Sequence, residues 1–81
     1  MKSEITITNT EGLHAALASK VVIVSKKYDA SVVIEYTDKV VDARSILGLM
    51  SLAVPRGKNI KVITEGPDAE KALNDIKKIL N

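Results

Sequence analysis

Ala15-Ala16-Leu17-Ala18-Ser19-Lys20-Val21-Val22-Ile23-Val24-Ser25-Lys26-Lys27 is the stretch whose reading decides the fold. Its run Val21–Val24 favours an extended strand, because branched side chains pack well on a pleated surface. Ala15, Ala16 and Ala18 favour a helix. The apolar spacing breaks the tie. Leu17, Val21, Val24 and Tyr28 recur at steps of four, three and four, the period of one helix face. The segment is therefore read as a helix, and the elements on either side arrange themselves around it.

Upstream, Ile5 and Ile7 alternate with Thr6 and Thr8, as in a half-buried strand, and Gly12 marks a turn before the helix. Downstream, Val32, Ile34 and Tyr36 alternate with Val33 and Glu35. Thr37-Asp38 then reads as a tight turn into Lys39-Val40-Val41-Asp42, giving a hairpin. Ser45 precedes Ile46-Leu47-Gly48-Leu49-Met50-Ser51-Leu52 and is placed to cap a short helix through its hydroxyl. Pro55 and Gly57 interrupt the chain. Ile60, Val62 and Thr64 alternate with Lys61, Ile63 and Glu65 in a last strand. Ala69, Ala72, Leu73, Ile76, Ile79 and Leu80 form the apolar stripe of a final helix. Asp68 and Glu70 near its start and Lys77 and Lys78 near its end suit the helix dipole. The order β-α-β-β-α-β-α, with one-faced strands and striped helices, predicts a two-layer α+β domain whose sheet is covered on one side.

Composition narrows the function. A chain of 81 residues predicts a single domain, 1–81. A domain of that size buries about 60–65% of its unfolded surface and has no room for a deep substrate cavity. Tyr28 and Tyr36 are the only aromatic residues, so the core must be built from Val, Ile, Leu and Ala. Without cysteine there is no disulfide framework and no cysteine-based zinc site. No fully apolar run is longer than four residues, Val21–Val24 among them, far below the ~20 needed to span a bilayer. Met1–Thr6 enters the alternating pattern directly and lacks the apolar core of a signal peptide, which predicts a cytoplasmic protein. The net charge of +2 and the absence of base-stacking aromatics argue against nucleic acid. Scattered lysines read as a solvated surface.

One residue is placed to carry chemistry. His14, the only histidine, follows Gly12-Leu13 and directly precedes the first helix. Such a histidine commonly does no more than occupy the surface or a cap. The first N–H groups of a helix, however, lack intrahelical partners and attract anions. A neutral imidazole is a competent nucleophile near neutral pH, and a phosphoryl group on it would meet those donors. One histidine and no cysteine leave no common transition-metal site, no glycine-rich loop offers a nucleotide site, and no cofactor is implied.

Gly12-Leu13-His14-Ala15, Ala18-Ser19-Lys20 and Ala43-Arg44-Ser45-Ile46-Leu47-Gly48-Leu49-Met50-Ser51-Leu52 resemble the HPr family, the phosphocarriers of the phosphoenolpyruvate-dependent sugar phosphotransferase system. Tyr28-Asp29-Ala30 and Asn59-Ile60 extend the resemblance over nearly the whole chain. It implies an open-faced β-sandwich, with a four-stranded antiparallel sheet and three helices on one face. It also implies a monomeric relay that is not itself an enzyme. Enzyme I would pass a phosphoryl group to Nδ1 of His14, which would hand it to the A domain of an enzyme II. Ser45 would be the regulatory serine, a substrate for HPr kinase. Leu47 and Met50 would be exposed for partner docking, with Leu17, Lys20 and Arg44 beside them, whereas Ile46 and Leu49 are expected in the core.

The family motif usually continues from histidine as Ala-Arg-Pro-Ala, and this chain has Ala15-Ala16-Leu17-Ala18. The resemblance puts an arginine beside the histidine, where it assists the phosphate through charge-assisted hydrogen bonds, and Ala16 supplies none. Losing such a charge from a transfer site is expected to cost a few kcal/mol in the transition state, on the order of 10²-fold or more in rate. A second reading follows from it: a regulatory paralogue with weak or no relay that binds a catabolite-control transcription regulator through the same surface.

Overall fold

The computed structural model describes all 81 residues. Its elements are β1 (Lys2–Thr6), α1 (Ala15–Lys27), β2 (Ser31–Tyr36), β3 (Lys39–Asp42), α2 (Ile46–Ser51), β4 (Asn59–Glu65) and α3 (Ala69–Leu80). The order is the expected one, and helix wins over 15–27 because Leu17, Ala18 and Val21 face the core together. Ser25 is buried on the same face and donates its hydroxyl to the Val21 carbonyl at 2.8 Å, which lets a polar side chain sit there. Ile23, on the opposite face, is 67% exposed.

The four strands form one antiparallel sheet in the order β1-β4-β2-β3. β4 therefore lies between β1 and β2, with Ile5 opposite Ile60 and Ile34 opposite Val62. Period-two alternation puts Ile5, Val32, Ile34, Ile60, Val62 and Thr64 on the inner face, all buried. The helices pack on that face, α3 against β4 and β1 and α2 against β3, while α1 packs on α3 and α2. The result is the open-faced two-layer sandwich, whose core is aliphatic as the composition required.

Polar ties fix the joints. The hydroxyl of Tyr28, at the end of α1, donates to Asp75 on α3. Asp29 N–H donates to the Asp68 carboxylate at 2.9 Å, and Asp68 N–H returns a bond to the Asp29 carbonyl at 3.1 Å. At the tight turn Thr37 takes φ 56°, the left-handed region, as first central residue of the β2–β3 hairpin. No helix is long and apolar enough to cross a membrane. The main concavity, of about 120 Å³, is shallow and lies on the open side of the sheet among Glu4, Glu35, Asn59 and Lys61.

Candidate functional site

The segment from Asn9 to His14 is a turn held at every step. Gly12 N–H donates to the Asn9 carbonyl at 3.0 Å, and Glu11 N–H donates to the Asn9 side chain at 3.0 Å. Leu13 N–H reaches across to the Val54 carbonyl at 2.9 Å, and the Leu13 side chain is buried. Gly12 is required here. Its φ is +70°, and a Cβ at this position would lie 2.3 Å from the Val54 carbonyl oxygen. The turn is thereby pressed against the chain that leaves α2, and His14 emerges from it in one direction.

His14 is the N-cap of α1, with extended backbone (φ −94°, ψ 178°). Its carbonyl accepts the first helical bond, from Ala18 N–H at 2.8 Å. Its side chain makes no cap hydrogen bond. The N–H groups of Ala15, Ala16 and Leu17 have no acceptor within the protein. The first turn of a 13-residue helix is thus open beside a half-exposed imidazole, with the positive end of the helix dipole behind it. Chemically this is a nucleophile next to donors suited to phosphoryl oxygens. No cluster of side chains suited to a metal ion is present.

Glu11 was not singled out from the sequence. Its carboxylate lies 3.9 Å from Nδ1 of His14. The available signal was an acidic residue three positions before the histidine, on the far side of a glycine turn that folds the two together.

The other expected residues divide. Ser45 is exposed and is the N-cap of α2, where its hydroxyl accepts the Gly48 N–H at 3.0 Å. Gly48 fits closely there, since a Cβ would meet the Ser45 hydroxyl oxygen at 3.2 Å. Leu47 (79%) and Met50 (45%) are exposed, one helical turn apart. Lys20 and Arg44 are also on the surface, and neither hydrogen-bonds to His14. Arg44 instead holds Asp42 through its Nε at 3.4 Å and an amino nitrogen at 3.2 Å. Those bonds from Arg44 hold the Asp42 carboxyl below its ordinary range and raise the guanidinium in turn.

Two expectations need correction. Leu17 does not join a docking surface: it is 5% exposed and belongs to the core. At the third helical position its side chain turns inward, one helical turn before Val21, and anchors the start of α1. Ile46 is 38% exposed where a core position was expected. The six-residue α2 turns only one flank inward, and Leu49 takes it.

Comparison with known proteins agrees with this geometry. Residues 1–81 match the family described as the PTS HPr component phosphorylation site. The phosphocarrier protein NPr of Shewanella violacea is 38% identical over 76 residues, which cover 94% of this chain and 84% of the relative. The phosphocarrier protein HPr of Pseudomonas aeruginosa is 39% identical over 79 residues, covering 96% and 88%. Among solved structures, a phosphocarrier protein HPr from Bacillus anthracis superposes with a TM-score of 0.95 at 34% identity, covering 100% of this chain and 96% of its own.

Proposed function

The chain belongs to the HPr family of phosphotransferase-system phosphocarriers, and from that premise we propose that it relays a phosphoryl group from enzyme I to enzyme II A domains in the cytosol through His14. The observation that carries this reading is the open first turn of α1 beside the only imidazole. In the transfer, the Nδ1 lone pair attacks phosphorus while the bond from phosphorus to the donor breaks, and the ring keeps its Nε2–H. The unpaired N–H groups at the start of α1, those of Ala15 and Ala16 among them, are main-chain donors for the phosphoryl oxygens in this reading, and they need no side-chain reorganisation. The second transfer runs the same step in reverse onto the acceptor.

Leu47 and Met50, with Ile46 beside them, supply the apolar docking patch in this reading. Lys20 and Arg44 supply charge near it. Ser45 is accessible to a kinase, and a phosphate on it would leave the start of α2 electrostatically satisfied while repelling an acidic partner. This supports regulation of docking by an HPr kinase, with a catabolite-control regulator as the partner of the modified form.

The test is loading by enzyme I and phosphoenolpyruvate. The expected result is an acid-labile label on the parent protein and none on His14→Ala. Label that survives His14→Ala, or a parent that takes none, rejects the relay. Leu47→Asp should lower the transfer rate by about tenfold or more with the melting temperature unchanged, since the side chain is exposed.

A further inference from the structure

The relay reading asks for a free lone pair on Nδ1, and the structure puts a carboxylate opposite that atom. Oε2 of Glu11 lies 3.9 Å from Nδ1. The two side chains project from one rigid turn, whose backbone is fixed by bonds to Asn9 and Val54 and by the close seat of Gly12. Glu11 has no other ion-pair partner; the remaining ion pair of the molecule is Arg44 with Asp42. The Glu11 side chain is 75% exposed, so that a second molecule can reach it.

We propose that Glu11 acts as a brake on His14, set against loading at Nδ1 and released by a basic side chain on the docking partner. The inference rests on His14 being the phosphoryl acceptor. Two effects act in the same direction. A negative charge facing Nδ1 favours the ring tautomer with its proton on Nδ1, where the lone pair needed for attack is occupied. Once a phosphoryl group is on Nδ1, its charge lies near that of the carboxylate, and like charges at this range repel. The free imidazole is therefore loaded more slowly, and the phosphohistidine loses its phosphoryl group more readily. A partner lysine or arginine that pairs with Glu11 removes both effects at docking. Glu11 thus makes the site selective for donors and acceptors with a basic group at that edge of their surface.

The test uses potassium phosphoramidate, a small donor that needs no protein partner. Its phosphorus–nitrogen bond breaks, ammonia leaves, and a phosphorus–nitrogen bond to the imidazole forms. The parent and Glu11→Gln proteins are compared by the 15N shifts of the ring, by labelling rate and by the lifetime of the phosphohistidine. Removing one largely exposed charge predicts a gain of about three- to tenfold in labelling rate and lifetime, with the tautomer moving toward Nε2–H. Glu11→Asp, which keeps the charge on a shorter arm, should fall between the two. Equal ring shifts and equal lifetimes in parent and Glu11→Gln would overturn the brake. The two readings fail separately. A Glu11 effect with phosphoramidate but no loading by enzyme I keeps the brake and rejects the relay, and normal enzyme I loading with no Glu11 effect does the reverse.

Discussion

The starts of α1 and α2 are built from the same kind of position and differ by one side-chain cap. Ser45 closes α2: its hydroxyl accepts the Gly48 N–H, and its carbonyl accepts the Leu49 N–H. His14 begins α1 with its carbonyl alone, and the N–H groups of Ala15, Ala16 and Leu17 go unanswered. A serine oxygen reaches back to its own helix, whereas an imidazole at the N-cap does not. Ala15 and Ala16 are exposed, so water serves their N–H groups where no anion does, and the contrast separates a helix start with a side-chain cap from one that an anion can complete. It also locates the cost: α1 forgoes a cap worth ~1 kcal/mol and is held instead by the burial of Leu17, Ala18 and Val21.

The largest effect expected of a single change is at Gly12, on which the α1 side of the comparison depends. Gly12→Ala forces a Cβ to within 2.3 Å of the Val54 carbonyl oxygen at a φ of +70°. A destabilisation of about 2–4 kcal/mol follows, read in urea unfolding. Phosphoryl loading should fall further than the unfolded fraction explains, because His14 leaves the same turn. A wild-type midpoint for this variant would show that the turn is softer than its bonds indicate.

Ala16→Arg sharpens the contrast by adding a cation to the open start. Ala16 is exposed, so the change should leave the melting temperature within about a degree while raising the loading rate about tenfold or more. Equal rates would mean that the open N–H groups already supply all the stabilisation the phosphoryl group uses. At the closed start, Ser45→Ala should cost ~1 kcal/mol in urea unfolding. Ser45→Asp keeps an acceptor for the Gly48 N–H and should retain that stability while slowing transfer from enzyme I. A drop in stability for Ser45→Asp would mean that a negative charge is not tolerated at the cap, and the electrostatic account of regulation would fail with it.

The sequence made the closed start easier to read than the open one. Serine before an apolar run has one local meaning, and the cap on α2 follows from it. The helix of α1 was legible from Leu17, Val21 and Tyr28 against the propensity of the valines, because a face repeats over several turns. Burial was harder to read. Leu17 and Ile46 each lie in a first helical turn, and which way a first turn faces depends on the element across from it. For Leu17 that is the packing of α1 on α2 and α3, which no local pattern encodes. Glu11 escaped for a related reason. Its closeness to His14 comes from the left-handed backbone of Gly12, and spacing alone gives it no more weight than any other surface carboxylate. The left-handed Thr37 was hidden likewise, since threonine is a poor signal for that conformation.

The smallest effect concerns the far end of the closed helix. Leu52 ends α2 in right-handed backbone, and Ala53 follows at φ 50°, its N–H returning to the Met50 carbonyl at 3.2 Å. This is the position where helices usually place glycine, since a Cβ in left-handed backbone crowds the adjacent carbonyl. Lys39 adds a bond from Nζ to the Ser51 carbonyl at 3.3 Å, so the carbonyl end of α2 is tied down as its N-terminus is. Ala53→Gly relieves the steric cost but frees the unfolded chain, and the two partly cancel. A net gain of about 0.5 kcal/mol is expected, seen as a higher urea midpoint at an unchanged slope. Loading of His14 should not change, because the left-handed turn is already made and Val54 keeps its place against Gly12. A gain in stability accompanied by slower loading would show that strain at Ala53 is transmitted through Val54 to the His14 turn, and the two helix starts would then be mechanically coupled.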